Sequence, residues 1–246
     1  MNDGNAVIII PARWKSSRFP GKPLHMIEGK SLIKRVWEKC CIAVGAANVY
    51  VATDHRKIGS HCNKNNMQVI MTSEDCLTGT DRVAEAYKKL DKEYDIVINV
   101  QGDEPLVDPK DILEVAKGCN SNFGNICCGY CKSTDDPLYK NTVKVVFDEN
   151  RFLLYASRAP IPMNKNGESK EVYKQVCIYA FIPFDLERFQ RKTKGKLEEI
   201  EDIELLRILE KGDLIQMVEV GEGSIAVDSK EDADKVSNLI RSGKSE

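Results

Sequence analysis

The sequence predicts an α/β fold with a doubly wound, mostly parallel sheet, and three observations carry that reading. Short β-branched runs recur at residues 7–10, 49–53, 69–72 and 96–100, each of a length that suits a buried strand. Segments with apolar residues at helical spacing separate them, so the strands are joined by crossovers rather than hairpins. The 246 residues suffice for one large core, and residues 1–246 read as a single domain.

The first strand, residues 7–10, stops at Pro11. It opens a loop holding Arg13, Lys15, Ser16, Ser17, Arg18, Pro20, Gly21 and Lys22. Proline and glycine restrict this loop, so backbone N–H groups and four cationic side chains can converge on one small volume. A polyphosphate is held in that way at the mouth of an open α/β sheet. A P-loop is excluded because Leu24 stands where Gly29-Lys30-Ser31 would need a glycine, and no GxGxxG follows a candidate strand.

Residues 31–44 are apolar at Leu32, Ile33, Val36, Trp37 and Ile42, a helical spacing that Gly45 ends. Strand 49–53 is closed by Asp54, and a weaker helix over 55–64 leads to strand 69–72. Cys76-Leu-Thr-Gly-Thr-Asp-Arg82 then opens a helix to about Leu90, with Thr80 as its N-cap. A helix N-terminus at the sheet mouth suits an anion or a nucleoside.

Strand 96–100 delivers Gln101, Gly102, Asp103 and Glu104 at its carboxyl end, where open α/β sheets bind ligands. Alone this reads equally as an acidic turn before a helix starting at Asp108-Pro109-Lys110. Beside a triphosphate loop it reads as a Mg²⁺ site, with Asp103 the first ligand. Residues 126–131 form a buried strand whose Cys128-Gly-Tyr-Cys131 lacks the partners of a zinc site, so its thiols belong to the core.

After a strand at 142–147, Arg158 falls in a rigid loop flanked by Pro160 and Pro162. Residues 163–173 read as a linker carrying Lys165 and Lys170, with Lys174 beyond, before a strand at 175–181. Residues 197–209 read as one helix, with Ile200, Ile203, Leu206 and Leu209 inside and Glu201, Glu204 and Arg207 on other faces. A last strand spans 216–220. Ala226-Val-Asp228 forms a strand end, and Ser229 with Asp232 gives a capping box for a helix over 230–241. Asp228, at that turn, suits a second Mg²⁺ carboxylate or a plain helix-start acid. Residues 242–246 are expected to fray.

Lys+Arg total 36 and Asp+Glu 38, a net charge of −2, which gives no electrostatic case for nucleic acid or a membrane surface. The N-terminus has no basic region, and its apolar run is too short for a signal peptide or a span, so a cytoplasmic protein is expected. Nine cysteines with adjacent pairs fit reduced thiols, and His25, His55 and His61 form no ligand pattern.

PAR-x3-SR-x-PGKPL, VATDH, TGTDR, INVQGDEP, VKVVFD, LYASRAPIP, IYAF and AVDSKED run collinearly over nearly the whole chain. The set resembles the 3-deoxy-manno-octulosonate (Kdo) cytidylyltransferases of the Rossmann-like nucleotide-diphospho-sugar transferase fold. That resemblance implies a smaller sugar-binding and dimerisation lobe and a cytoplasmic homodimer. It implies CMP transfer from CTP to a sugar acid with Mg²⁺, releasing pyrophosphate. It further implies nucleotide contacts from Ala12, Arg13, Ser17, Arg18, Lys22, Thr53, Thr78, Gly79, Thr80 and Gln101. Asp103 and Asp228 become the metal carboxylates, with Lys22 beside them in catalysis, and Gln101, Arg158, Gln175, Tyr179 and Glu204 the sugar contacts, Arg158 on the carboxylate.

Gln175 replaces the family's histidine and Leu205 its glutamine. Both changes fall on the sugar side, where they are expected to face sugar hydroxyls, so a related acid sugar is an alternative to Kdo. A non-catalytic nucleotide-binding domain is a further alternative; the intact carboxylates and phosphate loop weigh against it.

Overall fold

The computed structural model describes residues 5–243 apart from 17, 121–125, 170, 192 and 223. Ala6–Ala12 forms β1, followed by the hairpin of Met26–Ile27 (β2) and Lys30–Ser31 (β3). Then come Leu32–Val44 (α1), Val49–Thr53 (β4), Arg56–Lys64 (α2), Gln68–Met71 (β5), Gly79–Tyr87 (α3) and Ile96–Val100 (β6). Pro109–Asn120 (α4), Ile126–Lys132 (β7), Lys144–Phe147 (β8), Leu153–Ser157 (β9) and Tyr173–Phe181 (β10) follow. Pro183–Arg191 (α5), Lys196–Glu201 (α6), Leu205–Glu210 (α7), Gln216–Glu219 (β11) and Lys230–Arg241 (α8) complete the described elements.

The main sheet runs β11-β7-β10-β6-β1-β4-β5, with β8 and β9 attached to β10 as a small antiparallel annex. β1 pairs in parallel with β4 and β6, as do β4 with β5 and β7 with β11. β10 runs antiparallel between β6 and β7. Because side chains alternate along a strand, Val7 and Ile9 enter one core while Ile8 and Ile10 enter the other. A third cluster, Ile27, Leu32, Val227, Ala233 and Val236, fastens α8 beside the β2–β3 hairpin.

Four sequence expectations change. Thr78, not Thr80, caps α3: its backbone is extended and its Oγ1 accepts from Asp81 N at 3.2 Å, whereas Thr80 already lies inside the helix. The helix expected over 197–209 breaks into α6 and α7 because Asp202 adopts the left-handed conformation at φ 52°. That break rotates the faces, leaving Ile200 79% exposed and Arg207 fully buried. Residues 226–228 form no strand; Val227 N instead donates to Asp103 O at 2.9 Å.

Two expectations hold, the capping box that Ser229 and Asp232 form on α8 and the burial of the Cys128 and Cys131 thiols on β7. Among the described residues no group of three His, Cys, Asp or Glu could hold a metal. His55 caps α2, and His61 Nε2 shares a hydrogen bond with Ser31 Oγ at 2.8 Å. No helix among the described residues is long and apolar enough to cross a membrane. Lys170 and residues 244–246 lie outside the described residues.

Candidate active site

β1 and β6 run side by side in parallel, so the loops after Ala12 and Val100 open at the same end of the sheet. Gly102 makes their approach possible, since a Cβ there would sit 2.7 Å from Pro11 O. A cavity of about 620 Å³ lies at this end, walled by the loop after β1, the N-terminus of α3, β10 and the α6–α7 junction.

Trp14 shapes the first loop. Its N–H donates to Asp54 Oδ1 at 3.2 Å, and its ring stacks on His55 with centroids 4.3 Å apart. Gly21 N donates to Trp14 O at 3.1 Å, and at φ 70° Gly21 lies so close that a Cβ would meet the indole at 3.2 Å. The loop thereby turns Lys22 into the cavity. Lys22 Nζ donates to Asp103 Oδ2 at 2.7 Å, Val227 O at 3.0 Å and Asp228 Oδ1 at 3.1 Å. Burial alone would lower the pKa of this ammonium, but the two carboxylates outweigh it and raise the value. Arg18 reaches Asp228 Oδ2 at 3.0 Å and donates to Asn141 Oδ1 at 3.3 Å.

Asp103 and Asp228 thus converge on one cation although far apart in the chain. Two partly exposed carboxylates beside the Lys22 and Arg18 cations match the hard-oxygen donor set that Mg²⁺ takes alongside a polyphosphate. Glu104, which the sequence reading left without a role, is buried behind Asp103, and its Oε2 has no hydrogen-bond partner among the described residues. Burial first, and Asp103 second, push its carboxyl up to about 7.

On the far side, Gln101 Nε2 donates to Glu204 Oε1 at 3.3 Å and Thr80 N donates to Glu204 Oε2 at 3.1 Å. Burial raises the Glu204 carboxyl. Gln175 Nε2 donates to the Tyr179 hydroxyl oxygen at 2.6 Å. Cys177, between them on the same face of β10, also borders the cavity, and burial pushes its thiol well up. Arg158 donates through Nε to Glu201 O at 2.7 Å, through Nη1 to Lys140 O at 3.1 Å and through Nη2 to Asp202 O at 3.2 Å. It straps two segments together as well as lining the cavity.

Of the residues expected at the site, Ala12, Arg13, Arg18, Lys22, Thr78, Gly79, Gln101, Asp103, Arg158, Gln175, Tyr179, Glu204 and Asp228 border this cavity. Thr53 does not: it is buried, and its Oγ1 accepts from His55 N at 3.3 Å. Nor does the Thr80 side chain, whose Oγ1 accepts from Asn99 Nδ2 at 2.9 Å. Ser17 lies outside the described residues. Leu205 is 1% exposed in the core and faces no sugar hydroxyl; at the first position of α7 it packs inward while Glu204 turns to the cavity.

Known proteins resemble this chain over nearly its whole length. The 8-amino-3,8-dideoxy-manno-octulosonate cytidylyltransferase of Shewanella sp. (strain W3-18-1) is 39% identical over 247 residues, covering 97% of this chain and 100% of that protein. The protein of the same name from Shewanella oneidensis is 41% identical over 239 residues, covering 94% of this chain and 96% of its own. A solved CMP:2-keto-3-deoxy-manno-octonic acid synthetase complexed with CTP superposes with a TM-score of 0.88 at 36% identity, covering 97% of this chain and 99% of that one. A family model described as cytidylyltransferase matches residues 7–217, and on these grounds the chain belongs to the cytidylyltransferase family.

Proposed function

We propose that the chain transfers CMP from CTP to the anomeric hydroxyl of a Kdo-type 3-deoxy-2-ulosonic acid, releasing pyrophosphate, and that it prefers the acid bearing an amino group at C8. The observation that carries the reaction is the meeting of Lys22, Asp103 and Asp228 in one cavity with Gln101 and Glu204. Two things support the amino acid sugar: the relatives' names and the acidic residues Asp202 and Glu204 bordering the cavity, which favour a cationic substituent.

Arg13, Arg18 and Lys22 bind the triphosphate and neutralise the charge that grows on the leaving pyrophosphate. Gln101 links the sides, holding Glu204 while facing the reacting centre. The Tyr179 hydroxyl, which accepts from Gln175 and pairs with the Cys177 side chain, lines the sugar side of the cavity. Glu204 accepts from a sugar hydroxyl or ammonium. Asp103 and Asp228 fit Mg²⁺, which supplies charge neutralisation at a phosphoryl oxygen when bound. The family resemblance supports a cytoplasmic homodimer, and light scattering reads that mass.

The test is pyrophosphate release from CTP and Mg²⁺ with Kdo and its 8-amino analogue, with and without a chelator. A higher kcat/KM for the amino acid sugar is expected, with activity lost on chelation. A preference for Kdo overturns the amino reading, and silence with every ulosonic acid overturns the acid-sugar reading.

A further inference from the structure

We infer that Lys140 binds the carboxylate of the acid substrate. The cations bordering the cavity are Arg13, Arg18, Lys22, Arg82, Lys140 and Arg158. Lys22 is engaged by Asp103, Asp228 and the Val227 carbonyl. Arg18 is engaged by Asp228 and Asn141. Arg82 is held by Asp54 at 3.0 Å, Thr72 Oγ1 at 2.6 Å and Ser73 O at 3.1 Å. Arg158 has Nε, Nη1 and Nη2 on three backbone carbonyls. Among the described residues, that leaves the Arg13 and Lys140 side chains with no hydrogen bond or ion pair.

Arg13 directly follows β1 in the triphosphate loop. Lys140 belongs to the wall that Arg158 builds, and its backbone is fixed there. Lys144 Nζ donates to Tyr139 O at 2.7 Å, Arg158 Nη1 to Lys140 O, and Arg18 Nη1 to the Asn141 side chain. Three consecutive residues are thus gripped by three cations, while the Lys140 side chain stays uncommitted and exposed at the cavity. A 2-ulosonic acid carries its carboxylate on the anomeric carbon itself, so the carboxylate enters beside Asp103 and Asp228. It needs a cation there whose donors are available. Arg158 contributes its field, and Lys140 contributes the movable donors.

The inference rests on the acid-sugar reading above. Initial rates with CTP and acid sugar varied separately test it in Lys140→Ala and Lys140→Arg. The alanine variant should raise KM for the acid about tenfold, more than it lowers kcat and with KM for CTP little changed. The arginine variant should recover most of that loss, and high salt should raise the wild type's KM for the acid more than the alanine variant's. An unchanged KM for the acid makes Lys140 solvated surface, and a rise confined to CTP assigns it to the triphosphate; either overturns the inference. A wild type silent with all acids defeats the acid-sugar reading instead.

Discussion

Lys22 divides one ammonium among Asp103, Asp228 and a carbonyl, so removing it leaves two carboxylates facing each other and, on the proposed assignment, the triphosphate short of a cation. Lys22→Ala should weaken CTP use by about 1.5–3 kcal/mol, the worth of a charge-assisted hydrogen bond; initial rates against CTP read it, and an unchanged KM would show a merely solvated loop. Glu104 yields a pH prediction. Its carboxyl is raised from 4.5 to about 7, so between those values the folded protein holds a proton that the unfolded chain has lost. Stability from this group therefore falls as pH rises through the window, and the full penalty stands above about 7. Glu104→Gln should melt above the wild type near pH 8 and close to it near pH 5. Thermal melts across pH decide it, and a constant difference would show that the carboxyl is not held neutral by burial. Asp103 and Lys22 were legible because a strand end and a glycine-proline loop point them outward. Glu104, one residue on, was not, since inward turning depends on what packs behind it.

The α6–α7 break places one arginine against two carboxylates. Arg207 donates to Glu198 at 2.7 Å through Nε and Nη2 and to Asp81 at 2.9 and 3.1 Å through Nη1 and Nη2, all in the core. Arg207→Met leaves both acids without that cation and should cost about 3–5 kcal/mol; urea unfolding measures it, and a loss under about 1 kcal/mol would mean the acids find other partners. Periodicity could not reveal this element, because the apolar spacing from Leu197 to Leu209 runs on through Asp202 as if the helix were continuous. Thr78 and Thr80 were indistinguishable in T-G-T-D for the related reason that either hydroxyl can cap. The Ser229 box was legible because both partners of the reciprocal bond, Ser229 and Asp232, are written three residues apart.

Across the whole molecule, the parallel half β6-β1-β4-β5 follows from alternating strands and helices, since each crossover sets its neighbour. The antiparallel β10 does not, because its slot between β6 and β7 is chosen by contacts distant in sequence. The active site spans the same distances, which makes Asp228 the most isolated member of the pair. Asp228→Asn should lower kcat at least about a hundredfold with the melting temperature nearly unchanged; comparable turnover would remove it from the metal site. Lys22 and Asp228 are 206 positions apart. At about 5–20 residues per second, a ribosome takes roughly 10–40 s to add the second after the first. By the end of that interval every described strand of the main sheet has been made, since β11 ends at Glu219. A growing chain therefore holds the loop cations and Asp103 well before Asp228 exists, and the pair of carboxylates around Lys22 is complete only once residue 228 has been made.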